Sequence, residues 1–281
     1  MSNPNALLKL DIVKRTSNYI IANKPSGMVC DEFHTNNLSN AITTQFEKRL
    51  PSSKPSHYLP VTRLNRFVTG GVFIARNKRW EQKVRQSFYS DDIFKLTIRY
   101  VGLIPLHTIP DKTEGTFDYD ISALVRDYRF HETKYAKKTV SRFPALTYYK
   151  LLPHLTRTFD SKYPIFEDKP LVPAIFEMRS GKKNQLRNHV LQKFGVPLLN
   201  DDKIKEFMFI TRSEPGINST KFKSNQIGLH SALMVIENVG VTEDLLIPVA
   251  EPYDRELWGS FLDKDGNFIK EIQDELINFY K

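Results

Sequence analysis

Short apolar runs broken by turn signals recur along the whole chain, and their order constrains the fold more than any other feature. Tyr19 to Asn23 reads as a strand stopped by Pro25 and Gly27. Leu38, Ala41, Ile42, Phe46 and Leu50 recur at helical spacing, with Pro51 ending that helix. Gly70 to Arg76 reads as a buried strand. The short helix after it carries Trp80, Val84 and Phe88 inward and Lys78, Arg79, Lys83 and Arg85 outward. Ile93 to Val101, Ala145 to Leu152, Ala174 to Arg179 and Ile227 to Val235 read as further strands. A helix follows Arg179, with Leu186, Val190 and Phe194 inward and Gly195 as its stop. Ile269, Ile272, Leu276 and Phe279 share one face of a tail helix. The polar stretch around Arg126, Arg129, Lys134, Lys137 and Lys138 reads as an irregular insertion, and residues 203–226 as a loop. Strands and helices without regular alternation argue for an α+β fold with a mixed sheet. No linker splits the chain.

Charge points to a class of partner. There are 41 Lys and Arg residues against 32 Asp and Glu, a net charge of +9. Such an excess suits a polyanion, nucleic acid before an anionic membrane face, or else a solvated basic surface. No apolar run approaches the ~18 residues that a membrane helix needs, so no membrane partner is expected. The one cysteine, Cys30, excludes an internal disulfide and a four-cysteine zinc site. The seven histidines show no H-E-x-x-H spacing, and neither G-x-x-x-x-G-K-[ST] nor G-x-G-x-x-G occurs. Neither a metal nor a cofactor is expected, and the chain reads as a soluble protein of a reducing compartment.

Two segments combine cations with tight turns. In Val61-Thr62-Arg63-Leu64-Asn65-Arg66-Phe67-Val68-Thr69-Gly70-Gly71, two arginines flank a polar residue before a buried strand, and a glycine pair permits close backbone approach. This suits an RNA phosphate or an ordinary surface loop equally. In Ser180-Gly181-Lys182-Lys183-Asn184-Gln185-Leu186-Arg187-Asn188-His189, a helix start carries Lys182, Lys183 and Arg187. Free backbone N–H groups there attract anions, and a basic helix end facing water is the alternative.

In order along the chain, these pieces resemble the RluA-type RNA pseudouridine synthases. Ile20 to Met28 is similar to that family's strand and N-K-P-x-G turn. Arg63-Leu64-Asn65-Arg66 with Thr69-Gly70-Gly71 is similar to H-R-L-D-x-x-T-S-G. Ala145, Thr147 and Tyr149 match A-x-T-x-Y, and Ser180 to His189 resembles T-G-R-x-H-Q-I-R-x-H. Gly195 to Asp201 resembles G-x-P-I-x-G-D, and Leu229-His230-Ser231 resembles L-H-A, with a proline-containing segment, Pro248 to Pro252, after it.

The resemblance implies a pseudouridine synthase fold with a mixed, mainly antiparallel sheet, flanking helices and a central RNA-binding cleft. It covers a catalytic domain over 14–262, and leaves outside it a short extension over 1–13 and the tail helix, over 263–281, which is expected to pack on that domain. The implied reaction converts uridine in RNA to pseudouridine without metal or cofactor. The family's nucleophilic aspartate falls on Asn65, the tyrosine of its K-x-Y motif on Thr97, two after Lys95, or with a gap on Tyr100, and its arginine on Arg187. Lys182 and Asn184 stand for its arginine and histidine. Arg63, Arg66, Lys95, Lys182, Lys183 and Gln185 are the implied RNA contacts. An amide is a very poor nucleophile, so two functions stay open. One is an rRNA pseudouridine synthase; the other is an inactive homologue that binds rRNA as a ribosomal or assembly factor. Asn, Lys, Ile, Phe and Tyr are well represented, as in A+T-rich genomes, which favours a mitochondrial location over a cytoplasmic one.

Overall fold

A computed structural model describes residues 10–30, 37–47, 58–88, 94–106, 108–126, 138–158, 170–178, 181–201 and 226–280. The strands are β1 (Asp11–Arg15), β2 (Tyr19–Lys24), β3 (Leu59–Pro60), β4 (Thr69–Ala75), β5 (Phe94–Pro105), β6 (Glu114–Asp118) and β7 (Ile121–Arg126). They continue with β8 (Lys138–Phe143), β9 (Leu146–Leu151), β10 (Arg157–Thr158), β11 (Pro170–Met178), β12 (Leu229–Asn238) and β13 (Val241–Leu246). Eleven strands form one sheet in the order β1-β2-β4-β12-β5-β11-β9-β6, with β3 on β4, β10 on β11 and β13 on β12. Among the described strand pairs of this sheet only β4 with β12 is parallel, so the sheet is mixed and mainly antiparallel.

Strand parity sorts the core into two layers. Leu96, Ile98 and Tyr100 of β5 join a cluster with Leu38 and Ile42 of α1 (Leu38–Glu47), Val84 of α2 (Lys78–Gln86), and Leu186 and Val190 of α3 (Gln185–Phe194). Val101 and Leu103 join the opposite layer, with Trp258, Phe268, Ile272, Leu276 and Phe279. The C-terminal helix, Lys270–Asn278, covers that side. Arg99 fastens it by donating to the carbonyls of Leu276 and Ile277 and to Glu177.

Several local readings change. The sheet begins at Asp11, so residues 11–13 belong to it and not to an extension. The basic insertion contains a hairpin, β7 against β8, whose register sets Arg126 opposite Lys138. Its like charges hid the alternating Ile121, Ala123 and Val125. Strand β11 begins at Pro170; Pro173 sits within it, beside β5, and its carbonyl accepts from Leu152 N. Leu50, Pro51 and most of the loop at 203–226 lie outside the described residues.

Two buried relays of the same composition brace the sheet. Gln226 Nε2 donates to Thr69 Oγ1 (2.6 Å), which lies 2.7 Å from His230 Nδ1, while His230 Nε2 lies 3.0 Å from Ile247 O. Gln185 Nε2 donates to Thr147 Oγ1 (3.0 Å), which lies 3.0 Å from His189 Nδ1, and His189 Nε2 lies 3.0 Å from Tyr119 O. A carbonyl only accepts, so each Nε2 carries a proton. Burial disfavours the charged form of both rings, and in the neutral ring Nδ1 accepts from the threonine hydroxyl. Burial pushes His230 down to about 4, outweighing its bond to Ile247 O, and the Lys24 charge acts in the same direction as burial. Burial also lowers His189.

The unfolded chain binds a proton at His230 near pH 6.5, whereas the folded chain resists it down to about 4. Stability should therefore fall as pH drops through that window, by about 3 kcal/mol at most from this group, and be independent of it above. Urea denaturation at stepped pH should show that slope, and His230→Gln should flatten it. An unchanged slope in the variant would assign the acid sensitivity elsewhere.

Candidate active site

Asn65 sits in the loop between β3 and β4, and a buried lysine holds that loop. Lys24 is fully buried, and its Nζ donates to the carbonyls of Pro25, Met28 and Arg66 at 2.9, 2.9 and 3.1 Å. Three donors meet three acceptors, which is what an ammonium requires on leaving water. Burial lowers its pKa to about 8, with Cys30 and Asp254 opposing the shift. Gly27 N donates to Arg66 O (2.9 Å), and Arg66 Nε returns to Gly27 O (3.1 Å). The N-K-P-S-G turn is thus a clamp on the loop that carries Asn65. Beyond it, Gly70 lies at φ 107°, where a Cβ would fall 2.4 Å from Ser231 O. Only glycine permits this crossing of β4 and β12.

The opposite wall is the start of α3. Gln185 is buried, its Nε2 donating to Leu146 O (2.9 Å) and Thr147 Oγ1, and its Oε1 accepting from Lys182 N (3.0 Å). It borders the cleft, yet its amide braces the junction, which corrects its expected use as an RNA contact. Asn184, the N-cap, adopts φ 58° and makes no capping bond. Its Oδ1 instead accepts from Asn65 Nδ2 (2.9 Å) and from Arg187 Nη1 (3.4 Å). Asn65 and Arg187, 122 positions apart by their numbers, therefore share one oxygen.

Arg187 does not face a neutral amide alone. Its Nε donates to Asp201 Oδ2 (2.6 Å) and its Nη2 to Asp201 Oδ1. Both side chains are almost fully buried, at 4% and 0% exposure. Asp201 therefore cannot act as a nucleophile in place of Asn65, because its carboxylate is held by the guanidinium and Asp201 does not border the cleft.

Strand β5 supplies the floor, with a different residue from the one expected. Tyr100 borders the cleft, while Thr97 and Lys95 do not. Positions 97 and 100 differ by an odd number, so the pleat sends them to opposite faces. Lys95 Nζ lies 3.9 Å from Glu237 on β12, outside the cleft. Of Asn65, Lys95 and Arg187, the first and last therefore border one cleft and Lys95 does not. Burial holds the Tyr100 phenol well above its ordinary pKa, so it stays neutral and can pack against a base. Ungapped spacing favoured Thr97 over Tyr100; the alternation of buried Leu96, Ile98 and Tyr100 is the signal that selects the gapped alternative.

The cleft these walls enclose has a volume of ≈ 470 Å³, within the range of sites that hold one small molecule. Arg63, Arg66, Lys182, Lys183 and Arg187 all border it, and among the described residues lining it there is no Asp or Glu. Cys30 also borders it. The described residues contain no cluster of His, Cys, Asp and Glu able to hold a metal ion. A neutral aromatic floor, an amide pair and a cationic rim are suited to one unstacked base with its flanking phosphates.

Comparison with known proteins agrees with this geometry. The family described as RNA pseudouridylate synthase matches residues 18–192. A 21S rRNA pseudouridine(2819) synthase of Candida albicans is 50% identical over 251 residues, covering 89% of this chain and all of that protein. The protein of the same description from Saccharomyces cerevisiae is 25% identical, covering 96% of each. In fold, Human RNA Pseudouridylate Synthase Domain Containing 1 superposes with a TM-score of 0.59 at 16% identity over 98% of each chain. Human RNA Pseudouridylate Synthase Domain Containing 4 gives 0.57 at 18%, over 88% of this chain and 92% of that one. The chain belongs to the RNA pseudouridylate synthase family, of the RluA type that its motifs resemble.

Proposed function

We propose that this chain is an rRNA pseudouridine synthase acting in the mitochondrion. The observation that carries the reading is the meeting of Asn65, Tyr100 and Arg187 in one cation-rimmed cleft. The 21S rRNA in the descriptions of the fungal relatives supports rRNA as substrate, and with the composition it favours the mitochondrion. Arg63, Arg66, Lys182 and Lys183 hold the phosphates beside a uridine flipped from its stack, a step that costs a few kcal/mol. Tyr100 packs on the uracil. The C1′–N1 bond breaks, the base turns, C1′ bonds to C5, and the C5 proton passes to solvent while N1 gains one. No oxidant, metal or cofactor is consumed. Asn65 stands where the family's carboxylate acts. Its amide oxygen stabilises a developing positive C1′ less than a carboxylate would, so the reaction runs slowly.

Tritium release from rRNA labelled at uridine C5 tests the reading, on free rRNA and on ribosomal particles. Catalytic release is expected. Retained binding with no release would leave rRNA binding as the function. Affinity should fall with salt at a log–log slope of about −3, as four or five single-strand phosphate contacts require. A slope near zero would dismiss the phosphate contacts.

A further inference from the structure

We infer that Asp201 is a positioning residue that compensates the Arg187 charge from behind and so makes an uncharged side chain at position 65 compatible with a buried guanidinium in the cleft. The inference rests on the reading of the cleft as an isomerase site.

Asp201 stands on a fixed shelf. Leu199 N donates to Leu103 O (2.9 Å), Gly228 N to Leu199 O (2.8 Å) and Asp201 N to Leu198 O (3.1 Å). Asn200, at φ 60°, ties the shelf to Gln226 O (2.6 Å). From that shelf the carboxylate takes two of the three guanidinium nitrogens. The third, Nη1, is left pointing at Asn184 Oδ1, the oxygen that Asn65 also uses. A polar chain thus runs from interior to cleft, Asp201 to Arg187 to Asn184 to Asn65, with a single negative charge at its buried end. Four more cations, Arg63, Arg66, Lys182 and Lys183, border the same cleft. A guanidinium without its carboxylate would be buried against like charge, a state far costlier than the intact pair. A carboxylate at position 65 could supply the missing charge from the front, because Arg187 already reaches the oxygen that position 65 contacts.

The two positions are therefore expected to be interchangeable as charge partners, which a double-mutant cycle reads directly. Asp201→Asn alone should lower Tm by roughly 10 °C and abolish tritium release. In the Asn65→Asp background the same Asp201→Asn change should cost less than half of that Tm loss and keep measurable release. Should the single variant fail to fold, the inference requires the double variant to give soluble protein. Arg187→Met with Asp201→Leu should fold, since the charge and its partner leave together, yet release no tritium. Equal damage from Asp201→Asn in both backgrounds would overturn the inference, as would insolubility of both variants. The thermal readout needs no catalysis, so it separates failure here from failure of the isomerase reading, which tritium release alone decides.

Discussion

Asn65→Asp, as a single substitution, is expected to accelerate pseudouridine formation by about 10³-fold or more, because it restores the charged nucleophile to a site that retains its other parts. Tyr100 already forms the aromatic floor, so no second substitution is required. Asn184 adapts at little cost. Its amide now accepts from Asn65, and turning it over would present Nδ2 as a donor to the new carboxylate. Arg187 keeps Asp201 and gains a second anion on its Nη1 edge, which now donates to Asn184. Single-turnover tritium release from C5-labelled rRNA measures the change. Thr97→Tyr, alone or added to Asn65→Asp, should leave the rate unaltered, since that position pairs with Val235 on the strand face turned from the cleft. A requirement for tyrosine at 97 would mean that the site has been assembled on the wrong residue.

Removing residues 263–281 should abolish independent folding. Phe268, Ile272, Leu276 and Phe279 are each no more than 3% exposed, packed against Trp258, Leu233 and Val101. Burying a side chain of this size contributes about 1.5–3 kcal/mol, so the four together contribute on the order of 6–12 kcal/mol, comparable to the whole stability of a domain. Arg99 would lose the carbonyls of Leu276 and Ile277 and keep only Glu177. Soluble yield and urea denaturation of the shortened chain provide the test. A cooperative transition at the full-length midpoint would show that the tail merely decorates the sheet.

Local pattern and long-range pairing differ in how they show through the sequence. Strand β2, the glycine crossing at Gly70 and helix α3 were legible, because each is set by periodicity or by a turn residue within a few positions. The cationic rim was legible too, since Arg63, Arg66, Lys182 and Lys183 are exposed or half-buried and their clustering follows from two short segments. The errors arise where tertiary partners decide. Gln185 looked like a polar contact for RNA until Leu146 and Thr147, some forty positions away, claimed its amide. In the sequence Asp201 is only the end of the segment that resembles G-x-P-I-x-G-D; its ion pair with Arg187 appears in the structure alone. Thr97 and Tyr100 both lie near Lys95, and only the parity of the strand separates them. Strand β13, with Thr242, Glu243 and Asp244 in its middle, carries no apolar alternation; its pairing with β12 is what makes it a strand.

The parallel junction between β4 and β12 joins at two residue pairs, His230 with Thr69 and Ser231 with Gly70. Asn65 hangs from one side of this seam; Tyr100 and Arg187 belong to the other. The spacing of the catalytic walls is therefore a matter of sheet register. A slip of one repeat, two residues, would carry Asn65 about 6–7 Å along the strand and break its link to Arg187 through Asn184. Gly70, pressed on the Ser231 backbone where no other residue fits, works as a stop against that slip, so a residue with no side chain gauges the width of the cleft.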